Sequence, residues 1–254
     1  MVSFGNTADD YARHRAGFPN SFFEALTERE ILKPGMRALD LGTGTGTVAR
    51  GMALRGAEAS GLDIADEMMA QARRLDRTAG VDVRYQVAQA EATGQPDDHF
   101  DLITAGQCWH WFDVPRTTAE VHRILKPGGQ LVIAHFDWLP LPGNVVEATE
   151  ALIRKHNPKW HLGGLNGVHS RHISDLRENG FREVRSFSYD EPAIYSHDAW
   201  RGRIRASAGI AVSLSDEAVA AFDLELKTML DNDFPTEPLM VDHCVYVVAA
   251  RSAG

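Results

Sequence analysis

Met36 to Thr47, MRALDLGTGTGT, decides the fold: an apolar run of Ala38, Leu39 and Leu41 passes directly into Gly42, Gly44 and Gly46 and then into a helical pattern. Apolar residues at nearly every position suit a strand buried on both faces of a parallel sheet, and Pro34-Gly35 marks the turn leading into it. Glycines carry no Cβ, so a ligand can approach the main chain, and the helix that follows offers unpaired N–H groups. Asp40 stands at the carboxyl end of the strand, where the ligands of open α/β sheets bind. A carboxylate there repels pyrophosphate and attracts an ammonium group or ribose hydroxyls. The third glycine also comes one residue too early for the nicotinamide fingerprint, whose position Thr47 holds, and no phosphate-binding G-x-x-x-x-G-K-[ST] sequence is present.

About twenty residues on, Glu58 to Asp63 (EASGLD) reads as a second short strand ending in an acid, the place from which a carboxylate accepts both hydroxyls of an adenosine ribose. With LDLGTGTG, GLDIADEMMAQAR and HRILKPGGQLVI in this order, residues 1 to 140 resemble the class I S-adenosylmethionine-dependent methyltransferases. The resemblance implies an α/β, Rossmann-like three-layer sandwich. Its seven-stranded, mostly parallel sheet would have an antiparallel last strand, N-terminal helices and a helical cap inserted late in the chain. It also implies S-adenosyl-L-methionine as cofactor and S-adenosyl-L-homocysteine as product. The cofactor would be held by Asp40, Gly42, Thr43, Gly44, Gly46, Asp63, Ile64, Met68, Gln89, Ala90, Glu91, Gly106 and Gln107. Gln89 replaces the acid usual in the family, and its amide oxygen can still accept from the adenine amino group. Met68 either covers one face of the base or packs in the core. ADDYARHRAGFP resembles the N-terminal segment of the trans-aconitate methyltransferase-like group, which makes Tyr11 and Arg15 pocket residues; the alternative is a core tyrosine and a surface arginine.

The chain has 254 residues, 44% hydrophobic and 24% charged, an ordinary composition for a soluble domain. A net charge of -9 argues against a large nucleic-acid footprint, and the Asn/Asp-Pro-Pro-aromatic motif of base-flipping amino methylases is missing. The N-terminus lacks the apolar core of a signal peptide and no apolar run approaches a membrane span, so the expectation is a cytoplasmic monomer or homodimer acting on a small-molecule substrate. Cys108 and Cys244 read as reduced thiols. A single domain is expected: a helical lid over 1–33, a cofactor-binding core over 34–139, a substrate cap completing the sheet over 140–240, and a last strand over 241–254.

Catalysis points to two segments. GQCWHWF, Gly106 to Phe112, follows the fourth strand, and Trp109 and Trp111 offer walls that exclude water and pack on a flat or cationic group. His110 between them is either a general base or a structural histidine, and His135, followed by Asp137 and Trp138 at the end of the fifth strand, is a second candidate base. YSHDAWRGRIRAS supplies Tyr195, Trp200 and Arg203, aromatic surface and a guanidinium suited to a carboxylate or phosphate, while Arg201 and Arg205 read as solvated. His156, His161, His169 and His172 are assigned no metal. Methyl transfer to an oxygen, nitrogen or carbon nucleophile, a carboxylate included, is the leading expectation. A catalytically silent cofactor-binding protein and a nucleotide-binding oxidoreductase are the alternatives.

Overall fold

A computed structural model describes residues 17 to 252 except 162, 208, 211 and 212, so Tyr11 and Arg15 lie outside the described residues. The strands are β1 (Arg37–Leu41), β2 (Glu58–Asp63), β3 (Arg84–Val87), β4 (Phe100–Gly106), β5 (Leu125–Trp138), β6 (Arg182–Asp190), β7 (Ala193–Tyr195), β8 (Leu239–Val241) and β9 (His243–Arg251). The helices are α1 (Asn20–Glu28), α2 (Thr47–Ala53), α3 (Asp66–Ala79), α4 (Val114–Ile124), α5 (Val145–His156), α6 (Arg171–Glu178), α7 (His197–Arg205) and α8 (Asp216–Asp233). No helix among the described residues is long and apolar enough to cross a membrane.

Seven strands form one mostly parallel sheet with one antiparallel strand, in the order β3-β2-β1-β4-β5-β9-β6. β1 is central because its residues from Ala38 to Leu41 are all buried, and it pairs parallel with β2 on one side and β4 on the other. The chain turns outward in opposite directions from β1 and from β4, so the gap at their carboxyl ends is the topological switch point at which open α/β sheets bind ligands. The register sets Asp40 between Gly61 and Thr104 at that end.

The chain divides into two compact units. The larger comprises residues 17–136, 169–188 and the last strand from 245, and the smaller 137–168 and 189–244. Leu39, Leu41, Leu62, Ile103, Leu131 and Ile133 centre the larger unit's core. In the smaller unit α5, α7 and α8 pack together, the two helices expected of a late cap among them. Helix starts follow local chemistry: Asp113 accepts from Arg116 N at 3.2 Å with Pro115 in the first turn, and Ser196 accepts from Ala199 N at 3.1 Å.

The structure departs from the sequence reading in three places. β3 is shorter than the expected 81–88 and mostly exposed, as an edge strand is. β5 begins at Leu125 rather than Leu131, because Phe100 pairs with Leu125 and Leu102 with Gln130, and the intervening Pro127-Gly128-Gly129 is absorbed in that irregularity. β7 and β8 pair antiparallel, Ala193 with Val241 and Tyr195 with Leu239; three residues each are too few to show alternation in the sequence.

Candidate active site

The glycine turn lies in the larger unit. Gly42, Gly44 and Gly46 all have positive φ, at 59°, 54° and 76°, and a Cβ on Gly46 would lie 2.2 Å from Tyr85 Oη. The tip of β2 holds the turn in place. Thr43 N donates to Leu62 O at 2.9 Å and Gly44 N to Asp63 Oδ2 at 2.8 Å, while Asp63 Oδ1 accepts from Ala65 N at 3.0 Å. Each carboxylate oxygen keeps acceptor capacity beyond these bonds. Ile64, next in the chain, is 62% exposed, an apolar side chain held at a strand tip. Met68 is buried with its Cε 3.6 Å from where a Gly44 Cβ would stand, so it packs under the turn.

Asp40 is sealed rather than open to the crevice as expected: it is 2% exposed, and its Oδ1 accepts from Thr104 Oγ1 at 2.7 Å. Burial pushes its carboxyl up to about 7; Thr104 and Thr43 pull it down, and the nearby Asp63 charge raises it further. Sequence reasoning missed Thr104, for nothing marks a threonine in a buried strand as an acid's partner.

The remaining cofactor candidates follow the same edge. Gln89 O accepts from Ala92 N at 3.2 Å, Ala90 is buried in the core, and Glu91 Oε1 accepts from Asp113 N at 3.0 Å, linking this loop to the start of α4. Gln107 has a φ of 64°, donates N–H to Ala134 O at 2.9 Å and Nε2 to Phe136 O at 2.5 Å, so its position at the tip of β4 is fixed from β5. A Cβ on Gly106 would lie 2.9 Å from Phe18 Cε2, and one on Gly17 would lie 2.4 Å from Thr47 Cγ2. The segment before α1 therefore lies against the start of α2 and the tip of β4. Phe18 was not singled out in the sequence, although FP before a helix start was its signal.

The aromatic loop separates into two roles. Trp109 is not a wall: it is 1% exposed, belongs to the core cluster and donates Nε1 to Asp175 Oδ2 at 3.3 Å. Trp111 is 52% exposed and His110 is exposed beside it, the rings 4.7 Å apart. His135 is buried and engaged. Its Nε2 lies 2.9 Å from His172 Nε2, and its ring stacks on His169 at 3.7 Å. Burial, aided by His169, pushes His172 down to about 4. The absence of a metal assignment overlooked that His169 and His172 stand in H-x-x-H spacing, and only the fold brings His135 to them. Cys108 and Cys244 are buried and form no disulfide among the described residues, Cys108 Sγ lying 3.1 Å from Leu41 O.

Within the smaller unit the predicted substrate residues meet. Arg203 stands over the Trp138 ring at 4.8 Å, Trp138 and Tyr195 each contact Trp200 edge-on at 5.7 and 5.3 Å, and Tyr195 stacks near His243 at 6.2 Å. Trp200 itself is fully buried and donates Nε1 to Thr149 Oγ1 at 3.1 Å, so it supports the cluster from within. Tyr195 Oη is buried with no hydrogen-bond partner among the described residues. Arg201 and Arg205 do not join the cluster; both pair with Asp223.

Residues 39–133, which hold both strand-tip acids and the glycine turn, match the family model described as a methyltransferase domain. Over that segment the chain is similar to the S-adenosylmethionine-dependent methyltransferases. Over 139 residues it is 41% identical to the demethylmenaquinone methyltransferase of Thermus thermophilus, covering 54% of this chain and 58% of that protein. It is 32% identical over 168 residues to the ubiquinone biosynthesis O-methyltransferase of Pseudomonas syringae, covering 65% and 64%. The YcgJ protein of Bacillus subtilis shares the fold with a TM-score of 0.60 at 21% identity, covering 93% of this chain and all of that one. The chain spans about half the length of the first curated relatives it matches. S-adenosylmethionine is the cofactor that the family match and the neighbours support, and the site fits it: a bare turn held against the Asp63 carboxylate suits a cationic nucleoside and opposes a phosphate.

Proposed function

We propose that this chain transfers a methyl group from S-adenosylmethionine to a small molecule. The observation that carries the reading is the Asp63 carboxylate, fixed at the tip of β2 by Gly44 N and Ala65 N, where it can accept both ribose hydroxyls. Ile64 supplies apolar contact for the adenine, Met68 supports the turn from below, and Gly106 and Gln107 line the path of the methionine end. The sulfonium supplies an electrophilic methyl group, so the protein's part is alignment of the acceptor and exclusion of water. Phe18 over Gly106 and the exposed Trp111 serve that exclusion.

The names of two relatives, a demethylmenaquinone methyltransferase and a ubiquinone biosynthesis O-methyltransferase, favour a quinone-type acceptor. Within the smaller unit the Trp138, Tyr195 and Arg203 cluster, in which a cation lies over an indole face, suits an aromatic group that carries a negative charge. Where the acceptor must lose a proton, His110 is the base we favour, because His135 is buried against His172.

Calorimetry with S-adenosylhomocysteine tests the cofactor site. Wild type should bind, and Asp63→Ala should bind about 100-fold or more weakly, since two hydrogen bonds to a charged acceptor are lost. Unchanged affinity in a folded variant would remove Asp63 from the site. Incubating the protein with methyl-labelled cofactor and quinol or carboxylate acceptors identifies the substrate class by which compound gains label.

A further inference from the structure

We propose that His135, His169 and His172 form a site for one divalent transition-metal ion, with Zn2+ the best fit and a fourth coordination position left for an oxygen ligand. The inference goes beyond methyl transfer and does not rest on it. The three imidazoles come from different parts of the larger unit, the end of β5, the residue before Ser170 at the start of α6, and the first turn of α6 itself. Their donor nitrogens all lie within 4.8 Å of one another. His172 N donates to His169 O at 3.1 Å, so the turn that enters α6 sets the two H-x-x-H imidazoles side by side.

The spacing of the two buried rings is close to what an ion requires. His135 Nε2 and His172 Nε2 are 2.9 Å apart with their rings within 17° of parallel. A tetrahedral ion bonded at about 2.0–2.1 Å holds its ligand nitrogens about 3.3 Å apart, a few tenths of an ångström wider. His169 stacks on His135 at 18°, which leaves its lone pair in a parallel plane. Its ring is only half-buried, and rotation about χ2, a broad torsion, turns that lone pair towards the other two.

Asp175 completes the argument. Its Oδ2 lies 3.6 Å from His172 Nδ1, one helical turn along α6, and the carboxylate is held by Arg171 Nε at 2.8 Å and Trp109 Nε1 at 3.3 Å. His172 Nδ1 is buried with no hydrogen-bond partner among the described residues, and a proton placed on it towards the carboxylate leaves the Nε2 lone pair facing His135. An acid behind a ligating histidine fixes its tautomer and raises its basicity, as carboxylates do at zinc sites. Three protein ligands with an open fourth position are the pattern of sites that exchange a ligand.

The full chain, stripped with chelator and dialysed, should take up one Zn2+ per chain at micromolar ion, measured by elemental analysis, and Co2+ in its place should give the visible absorption of a tetrahedral site. Zn2+ should raise the melting temperature of the wild type by linkage. His169→Ala, at a half-buried position and checked for folding by circular dichroism, should abolish uptake and the shift, while His161→Ala should keep both. Asp175→Asn should weaken binding by about 10–100-fold. No uptake by the wild type, or uptake that survives His169→Ala in folded protein, overturns the proposal; the second result would mean coordination by other surface groups.

Discussion

Replacing Asp40 by asparagine should change how stability depends on pH in a direction that can be worked from its surroundings. The carboxyl is 2% exposed, and burial lifts it from its ordinary 3.8 to about 7. Between those values the folded protein keeps a proton that the unfolded chain has released, so wild-type stability must fall as pH rises through this interval. At about 1.4 kcal/mol per pH unit the full interval is worth on the order of 4 kcal/mol, of which roughly 2–3 kcal/mol falls between pH 5 and 8. The asparagine has no such proton. It also brings a pH-independent cost, because its amide N–H cannot accept as the carboxylate does, but that cost is the same at every pH.

Urea unfolding of both proteins from pH 5 to 8, with the wild-type free energy subtracted from that of the variant at each pH, isolates the effect. His172 and His243, both pushed down to about 4 by burial, lower stability as pH falls below the ordinary 6.5, and subtraction removes them. The difference should move in favour of Asp40→Asn by about 2 kcal/mol as pH rises to 8. A difference flat to within about 0.5 kcal/mol, with unchanged m-values, would refute a carboxyl held near 7 by its burial.

Other substitutions have outcomes fixed by the same geometry. Gly46→Ala places a Cβ against Tyr85 at positive φ, and should cost about 2–4 kcal/mol in urea unfolding and weaken S-adenosylhomocysteine binding in calorimetry. Trp109→Ala should cost about 3–5 kcal/mol as a core cavity, whereas Trp111→Ala should leave stability within about 0.5 kcal/mol and raise the KM for the acceptor. With an identified hydroxyl acceptor, His110→Ala should lower kcat by about 100-fold or more without changing cofactor affinity; full turnover would leave the reaction without this base.

Residues close in sequence were legible because their physics is local. The apolar run from Ala38 to Leu41, the glycines behind it and the acid ending EASGLD specify a strand, a bare turn and a second strand tip wherever they occur, and β2 appears with the bounds the sequence suggested. The cluster of Trp138, Tyr195 and Arg203 was legible only as a set of separate residues. Their meeting depends on α7 packing within its unit.

What the tertiary structure alone decided are the environments. Trp109 and Trp111 are two residues apart in the same aromatic run, yet one is core and the other surface, because a 3-10 turn points them to opposite sides. The sequence shows Asp40 beside glycines and so suggests an open acid; burial between β2 and β4 seals it, with Thr104 as partner, and pushes its carboxyl up to about 7. His135 is separated from His169 and His172 by a whole excursion of chain, and the three rings meet only when β5 and α6 are in place. Periodicity and spacing report the neighbours a residue has along the chain, whereas a pKa or a ligand set depends on neighbours brought from elsewhere, which folding alone supplies.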